Sequence, residues 1–289
     1  MRFMRDFNKY ISLQINSTKT FNTFNLNMKL SLIGAGNTGT VLARLIHNKG
    51  LKLVDLWSRN PLHAEELASK VDGRPIQQLH SLSDEADLFL IAVPDTAIES
   101  VVHPAFFHNK PVFHTAGSVS RNVLQTISSE FGVLYPLQSL RKEQTRIPKI
   151  PFLIDGNTDT SLQLIEKLAR TLSDDVQLAN DEQRLHYHLA AVVSGNFTNH
   201  LYSLTEQFCK THDLNFLQLL PLIQEIGERL NTRSPVLSQT GPAARGDIAT
   251  IEHHLTLLEK EPGLQKIYRI MSDSIREFQS KNQELHNSF

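Results

Sequence analysis

Residues 28–39, MKLSLIGAGNTG, are the stretch that says most about the fold. They predict a short apolar strand that runs into the pattern Gly34-x-Gly36-x-x-Gly39, and the apolar spacing of the next residues, TVLARLIHNKG, predicts a helix. In this context the first glycine makes the tight turn, the second lets the backbone approach a diphosphate, and the third lets the helix pack closely on the strand. Another kind of glycine-rich α/β turn is the alternative. We favour a dinucleotide-binding turn, whose residues are Gly34, Ala35, Gly36, Asn37, Thr38 and Gly39.

The end of the second predicted strand, LKLVDLW, indicates which dinucleotide binds. A carboxylate there favours NAD because it accepts hydrogen bonds from both ribose hydroxyls, whereas a small polar residue followed by arginine suits the 2′-phosphate of NADP. The strand ends in Ser58-Arg59, which indicates NADP. Asp55 is the competing carboxylate, but strand alternation places it on the opposite face from Ser58. An exposed arginine without a ligand is the alternative interpretation of Arg59.

Strand and helix patterns continue to alternate as far as residue 178, which predicts an open parallel sheet with right-handed crossovers. Ligands of such sheets bind outside the carboxyl ends of the strands. We therefore expect the loops that follow the later strands to share one crevice with the glycine turn. The expected crevice residues are Val93, Pro94, Asp95, the stretch Thr115–Ser118 and the stretch Tyr135–Ser139. Asp95 or Thr96 is also expected to cap the helix that follows.

Beyond residue 180 the apolar spacing becomes helical throughout. Asn180 is predicted to cap a helix longer than most, and Asp247 to cap a later helix after the break SQTGPAARGD. Asn196, Asn199 and His200 fall inside a part of the long helix that we expect to be buried. Buried polar side chains need partners, so these three could bind a ligand, or could bond across helices in a dimer core.

The predicted fold is therefore α/β: a Rossmann-type, doubly wound and mostly parallel sheet followed by an all-α C-terminal domain. We place the dinucleotide-binding domain at residues 28–179 and a helical domain for substrate binding and dimerisation at residues 180–289. Residues 1–27 are predicted to be a disordered tail or a start-site extension, with the functional chain starting at Met28. Their basic, hydroxyl-rich composition also fits a transit peptide, which is the weaker interpretation.

The composition is that of a globular protein and argues against several functional classes. The 289 residues are 40% hydrophobic and 20% charged with a net charge of −1, so no basic field attracts nucleic acid. No apolar run approaches the length of a membrane span. Cys209 is the single cysteine, which precludes an intrachain disulfide and fits a reducing, cytoplasmic location. No cysteine or histidine spacing marks a metal site.

Seven segments of the chain resemble NADP oxidoreductases of bacteria in which a Rossmann-like domain precedes a helical domain of unknown function. They are GAGNTGTVLARLI, WSRN, LFLIAVPD, HTAGSVS, YPLQSL, NFTNHLY and QTGPAARGD. The resemblance covers residues 28–258, and its first domain is also similar to pyrroline-carboxylate reductases and to deazaflavin-dependent NADP oxidoreductases. It implies NADP binding and a homodimer built by the helical domain, and it implies no particular substrate.

A more distant similarity concerns the chemistry. β-Hydroxyacid dehydrogenases carry a Lys-x-x-Asn pattern on a long interdomain helix, where the lysine is the acid/base; here Asn196 stands in the place of that lysine. Asparagine cannot transfer a proton. Either His200 supplies the proton, or Asn196 and Asn199 only orient and polarise a carbonyl or imine, or the protein is not a dehydrogenase. Arg245 would anchor a substrate carboxylate, or would pair with Asp247 or with an acid of a partner chain.

These features predict an NADP-dependent oxidoreductase that transfers a hydride to or from a small carbonyl, imine or hydroxy acid. The hydride chemistry belongs to the cofactor, and the protein positions the reactants and supplies charge. The predicted catalytic residues are His200, Asn196, Asn199 and Arg245. An NADP-binding sensor or structural protein without turnover is the alternative, and the missing lysine motivates it.

Overall fold

The computed structural model describes residues 28–287, so the predictions for residues 1–27 lie outside the described residues. Within the described part, residues 28–198 form one compact unit and residues 199–287 form another. Sequence analysis places the domain boundary earlier, after residue 179, where the apolar period changes. The first helix beyond that point belongs to the compact unit of the sheet, because its side chains bond to sheet loops.

An eight-stranded sheet organises the first unit, in the order β3-β2-β1-β4-β5-β6-β7-β8. Every neighbouring pair is parallel except β6 and β7, which are antiparallel. The strands are β1 Lys29–Ile33, β2 Lys52–Trp57, β3 Arg74–Ile76, β4 Leu88–Ile91, β5 Val112–His114, β6 Phe131–Pro136, β7 Phe152–Gly156 and β8 Val176–Leu178. The predicted Rossmann-type, mostly parallel sheet is thus confirmed.

Helices cover both faces of this sheet, which is why its central strands are apolar along their whole length. All four residues of β4 are buried, and alternate positions of the strands contribute to two separate cores. Leu90 and Phe113 belong to one core, and Phe89 and Ile91 to the other. The helices that precede the long C-terminal helical region are α1 Asn37–Asn48, α2 Pro61–Val71, α3 Ile98–Val101 and α4 Asp159–Leu172.

The loop after β4 differs from its prediction. Neither Asp95 nor Thr96 caps a helix: residues 95–97 form a single 3₁₀ turn, and α3 begins at Ile98 without a side-chain cap. The physical reason is that the Asp95 carboxylate accepts a hydrogen bond from the Ser118 hydroxyl instead. The prediction of a cap at this position is therefore wrong.

The rest of the described chain is helical, as predicted. Its helices are α5 Asp181–Ala191, α6 Thr198–Thr211, α7 Leu220–Arg229, α8 Pro235–Ser238, α9 Pro242–Arg245, α10 Ile248–Leu257 and α11 Pro262–Asn287, and a π-helical segment, Val192–Phe197, separates α5 from α6. The predicted caps are confirmed, since Asn180 and Gln183 form a reciprocal capping box and the Asp247 carboxylate accepts the Thr250 N–H.

The expectation that the middle of the long helix is buried is wrong for the single chain. Gly195, Asn196, Asn199 and His200 are all exposed. Phe197, which lies between them, is 58% exposed, so none of the described residues covers this stretch.

Candidate cofactor and catalytic site

The glycine turn has the geometry that its sequence predicts. Gly34 has φ +119°, and a Cβ there would lie 2.3 Å from the carbonyl oxygen of Ala92, at the end of β4. A Cβ on Gly39 would lie 1.9 Å from the carbonyl oxygen of Gly34. Only glycine fits these two positions, because the turn from β1 into α1 lies in close contact with the end of β4.

Gly36 differs from the other two glycines because the space beside it is open. A Cβ on Gly36 would meet no atom within 4 Å among the described residues. Gly36 also precedes α1 without a side-chain cap, and the first turn of α1 contains no acidic residue. Thr40 is the first residue whose backbone N–H finds a helical acceptor, at Gly36 O (2.9 Å). The preceding N–H groups and the helix dipole therefore fit a diphosphate of a dinucleotide.

This turn lies where the strand order reverses. The chain runs outward from β1 through β2 to β3 on one side, and from β4 through β5 to β6 on the other. In such sheets a dinucleotide crosses the reversal point, with its adenosine half on the β2 side and its nicotinamide half on the β4–β5 side. Beside the turn lies a cavity of about 300 Å³, whose lining includes Ala35, Thr40, His63 and Lys142.

The end of β2 supports the sequence-based choice of NADP. Ser58 is buried beside the turn, and Arg59 is exposed and makes no hydrogen bond or ion pair with the described residues. Asp55, the competing carboxylate, is fully buried. It accepts hydrogen bonds from Arg74 Nε (2.7 Å) and from the Ser83 N–H (2.7 Å), so it is already engaged inside the protein.

The loops after β4 and β5 meet, as predicted. Val93 is partly buried, Pro94 and Asp95 are exposed, and the Asp95 carboxylate accepts the hydroxyl of Ser118. Thr115 is buried, and its N–H donates to Ile91 O (3.0 Å).

Sequence reasoning places Tyr135 at this edge but misses its pairing with His188. The hydroxyl of Tyr135, near the end of β6, is 3.1 Å from Nδ1 of His188, on α5. A Cβ on Gly117 would lie 2.7 Å from His188 Nδ1 and 2.9 Å from Tyr135 Cε2, so the loop after β5 packs directly on the pair. The signal available in the sequence was the position of Tyr135 at a strand end and of Gly117 in the small-residue loop.

Arg184 forms a hydrogen bond that connects α5 to the loop after β5. This arginine is only 1% exposed, and its Nη2 donates to Val119 O (2.5 Å) and to Asp181 Oδ1 (2.7 Å). Asp181 also accepts the Ser120 hydroxyl and the Arg121 N–H. The Nε and Nη1 atoms of Arg184 and the Nε2 atom of the fully buried His114 lack hydrogen-bond partners among the described residues.

Burial determines the protonation of two of these groups. Burial, assisted by the Arg184 guanidinium, lowers the pKa of His114 from 6.5 to about 4, so its ring is neutral at neutral pH. Its Nδ1 accepts the Ala116 N–H, which assigns the proton to Nε2. Burial and the Asp95 carboxylate raise the pKa of Tyr135, so its hydroxyl stays protonated.

The four catalytic residues predicted from the sequence lie on three helical elements: the π-helical segment, α6 and α9. Asn196 lies in the π-helical segment, a form that is frequent at functional sites. Asn199, His200 and Arg245 belong to the helical unit, and all four side chains are exposed and make no side-chain hydrogen bond or ion pair with the described residues. Asp247 caps α10 rather than pairing with Arg245. The roles of these four residues stay predictions.

The described residues contain neither a cluster of metal-binding side chains nor a helix suited to a membrane. Between residues 28 and 287, no group of three or more histidine, cysteine, aspartate or glutamate side chains is placed to hold a metal ion. No helix in that range has the length and apolar character that crossing a membrane requires.

The fold and the open glycine turn together define a dinucleotide-binding protein of the Rossmann class joined to a helical region. Residues 17–109 match the family of shikimate and quinate 5-dehydrogenases, and residues 150–275 match a family described as a domain of unknown function, DUF2520. Glycerol-3-phosphate dehydrogenase [NAD(P)+] of Prosthecochloris aestuarii is 34% identical over 88 residues, and the match covers 26% of this chain. The match spans only about a quarter of that curated relative.

Solved structures extend the similarity to most of the chain. A Bacteroides fragilis protein described as a putative NADP oxidoreductase is 35% identical with a TM-score of 0.81, over 87% of this chain and 98% of that one. The chain therefore belongs to the same family of NADP oxidoreductases, which confirms the resemblance that its motifs indicate. The 1-pyrroline-5-carboxylate reductase of Streptococcus pyogenes shares the fold, with 14% identity and a TM-score of 0.62 over 86% of this chain and 98% of that one.

Proposed function

We propose that this protein is an NADP-dependent oxidoreductase that transfers a hydride to or from a small carbonyl, imine or hydroxy-acid substrate. The observation that carries the proposal is the open space beside Gly36 at the uncapped start of α1, combined with Arg59 at the end of β2, which has no partner among the described residues. Both features suit an anionic ligand, because free N–H groups and a guanidinium group bind phosphate oxygens.

Different residues along the crevice bind different parts of the cofactor. The first turn of α1 holds the diphosphate, while Ser58 and Arg59 hold the 2′-phosphate. Asp95 and Ser118, which are bonded to each other, border the nicotinamide side. The bound cofactor supplies the hydride, and the protein orients the ring, excludes water and supplies a proton.

The substrate side of the proposal rests on the sequence. Arg245 is exposed and without an ion-pair partner among the described residues, which suits an anchor for a carboxylate. Asn196 and Asn199 would orient the carbonyl or imine, and His200 is the proton donor that the sequence favours. Replacing His200 with Gln tests that role, because loss of a proton donor lowers kcat with little change in the affinity for NADPH.

We also propose that the protein is a homodimer assembled through its helical region. The buried apolar side chains described between residues 199 and 281 are few: Cys209, Ala243, Ile251, Leu255 and Leu258. Exposed large apolar side chains are more numerous and include Leu217, Leu222, Ile226, Leu230 and Ile270. Helices that leave such stripes uncovered need a partner surface. Light scattering at micromolar concentration should give twice the 32.7 kDa of one chain, and the mass of a single chain would contradict the proposal.

The decisive experiment for the enzyme proposal has two parts. Titration should show that NADPH binds more tightly than NADH, and oxidation of NADPH should then be followed at 340 nm with a panel of 2-oxoacids and cyclic imines. Turnover of one panel member supports the enzyme. Tight NADPH binding without turnover of any member would favour a sensor, and absence of NADPH binding would refute the cofactor site.

A further inference from the structure

Three elements of the sheet unit converge on the hydrogen-bonded pair Tyr135 and His188. Tyr135 comes from the end of β6, His188 comes from α5, and the backbone of Gly117 from the loop after β5 lies against both. The two rings meet edge to face, with centroids 6.0 Å apart. Because Gly117 has no side chain, the loop that borders the crevice approaches the pair as closely as a backbone can.

The position of this pair in the sheet places it on the nicotinamide side of the crevice. The glycine turn, Ser58 and Arg59 lie toward β2, on the adenosine side, whereas β5 and β6 lie beyond β4 on the other side of the reversal point. Asp95, which borders the nicotinamide side, accepts the hydroxyl of Ser118, and the neighbouring Gly117 packs on the pair. This argument rests on the proposed function, because it takes the orientation of the cofactor from it.

We infer that His188 is the proton donor of the proposed reduction and that Tyr135 is the residue that positions its ring, in place of the role that the sequence gives to His200. The geometry favours His188 because Nδ1 is held by Tyr135, whereas Nε2 has no partner among the described residues and His188 is only partly buried. A histidine with one nitrogen fixed by a hydrogen bond and the other free has a defined direction for proton transfer.

The step transfers one hydride and one proton to the substrate. In the imidazolium form both ring nitrogens donate: Nδ1–H to the oxygen of Tyr135, and Nε2–H to the carbonyl oxygen or imine nitrogen of the substrate. As the substrate carbon accepts the hydride of NADPH, the π electron pair of the C=O or C=N bond takes the proton from Nε2. The products are an alcohol or amine, NADP⁺ and neutral His188, which then regains a proton from water.

Arg184 explains why α5 presents His188 to the sheet. It lies one helical turn before His188 on the same face, and its buried guanidinium is bonded to Val119 O and to Asp181. Burial raises the pKa of Tyr135, Asp95 from the loop after β4 raises it further, and Arg184 from α5 lowers it. Neighbouring His114 is buried and neutral, so it does not compete as a proton donor.

The first test locates the nicotinamide ring without any substrate. The imidazole signals of the full chain, labelled with ¹³C-histidine, are recorded by NMR with NADPH and with adenosine 2′,5′-bisphosphate, which carries the 2′-phosphate but no nicotinamide. The His188 signal is assigned by its loss in His188→Gln. We expect NADPH to shift this signal and the bisphosphate to leave it in place.

His186 provides a matched control on the same helix, since it is exposed and forms no bond with the described residues. Its signal, assigned with His186→Gln, should respond to neither ligand. If NADPH binds and the His188 signal does not move, or if both ligands move it equally, the inference is overturned while the cofactor site stands. If NADPH does not bind, the proposed function fails, and the inference fails with it.

The second test measures turnover of 2-oxobutanoate and 1-pyrroline-2-carboxylate. His188→Gln should lower kcat by about 100-fold or more, as loss of a general acid does, with the Kd of NADPH within about twofold of wild type. His186→Gln should behave as wild type. Tyr135→Phe keeps the packing of its ring, so it should lower kcat about tenfold and shift the pH profile of kcat/KM rather than the melting temperature. Undiminished turnover in His188→Gln, or a loss of turnover confined to His200→Gln, would overturn the inference.

Discussion

Arg59→Ala isolates the group that we assign to the 2′-phosphate of NADP. Arg59 is exposed and makes no hydrogen bond or ion pair with the described residues, so its removal breaks no such contact among them. The melting temperature should therefore change no more than it does for ordinary surface substitutions. A hydrogen bond to a charged group contributes about 1.5–3 kcal/mol, which corresponds to a Kd change of about 10- to 150-fold. Because the guanidinium is exposed, water competes for it, and we expect a loss near the lower end, about tenfold.

The assay is a fluorescence titration of wild type and variant with NADPH and with NADH. Arg59→Ala should weaken NADPH about tenfold and leave NADH unchanged, because NADH has no 2′-phosphate for the arginine to bind. Arg59→Lys keeps the charge but not the two-pronged donor, so it should lie between wild type and alanine. The preference for NADPH should also fall as salt rises, since the contact is exposed. Equal weakening of both cofactors, or no weakening of either, would refute the assignment.

Three further predictions follow from the sheet unit. Gly39→Ala would place a methyl group 1.9 Å from the carbonyl of Gly34, so it should abolish NADPH binding and lower the melting temperature; an unchanged Kd would refute the close approach of turn and helix. Asp55→Asn should destabilise the fold by about 1–3 kcal/mol in urea, because it removes the carboxylate that Arg74 binds, without altering the preference between NADPH and NADH. The pKa of His114 is about 4 in the folded state, compared with its ordinary value of 6.5. Between these pH values the unfolded state therefore binds more protons than the folded state. The free energy of unfolding should fall by about 3 kcal/mol as the pH drops from 6.5 to 4. Urea midpoints measured against pH should show a flatter dependence for His114→Gln than for wild type.

Local patterns were sufficient to predict the part of the fold that depends on neighbours in sequence. The glycine turn, the capping box at Asn180 and the cap at Asp247 each involve residues within a few positions of one another, and each forms as predicted. The cap predicted at Asp95 failed because Ser118, on a different strand end, competes for the same carboxylate. A propensity for capping is weak compared with a tertiary hydrogen bond that the sequence pattern does not reveal.

The proposed catalytic pair could not be found by the same reasoning, and the cause is the direction that α5 faces. Apolar periodicity predicts that Leu185 and Leu189 face the protein interior and that a charged residue such as Arg184 faces water. The structure shows the reverse, with Arg184 buried at 1% exposure while Leu185 and Leu189 are 48% and 59% exposed. The guanidinium can be buried because Val119 O and Asp181 accept its protons, and the leucines can be exposed in one chain if a second copy covers them. Residues one turn apart share a helix face, so once Arg184 is turned inward, His188 must reach the sheet edge and meet Tyr135. The same rotation that brings an acid to the crevice thus turns an apolar stripe outward, which links the proposed catalytic role of α5 to the proposed dimer.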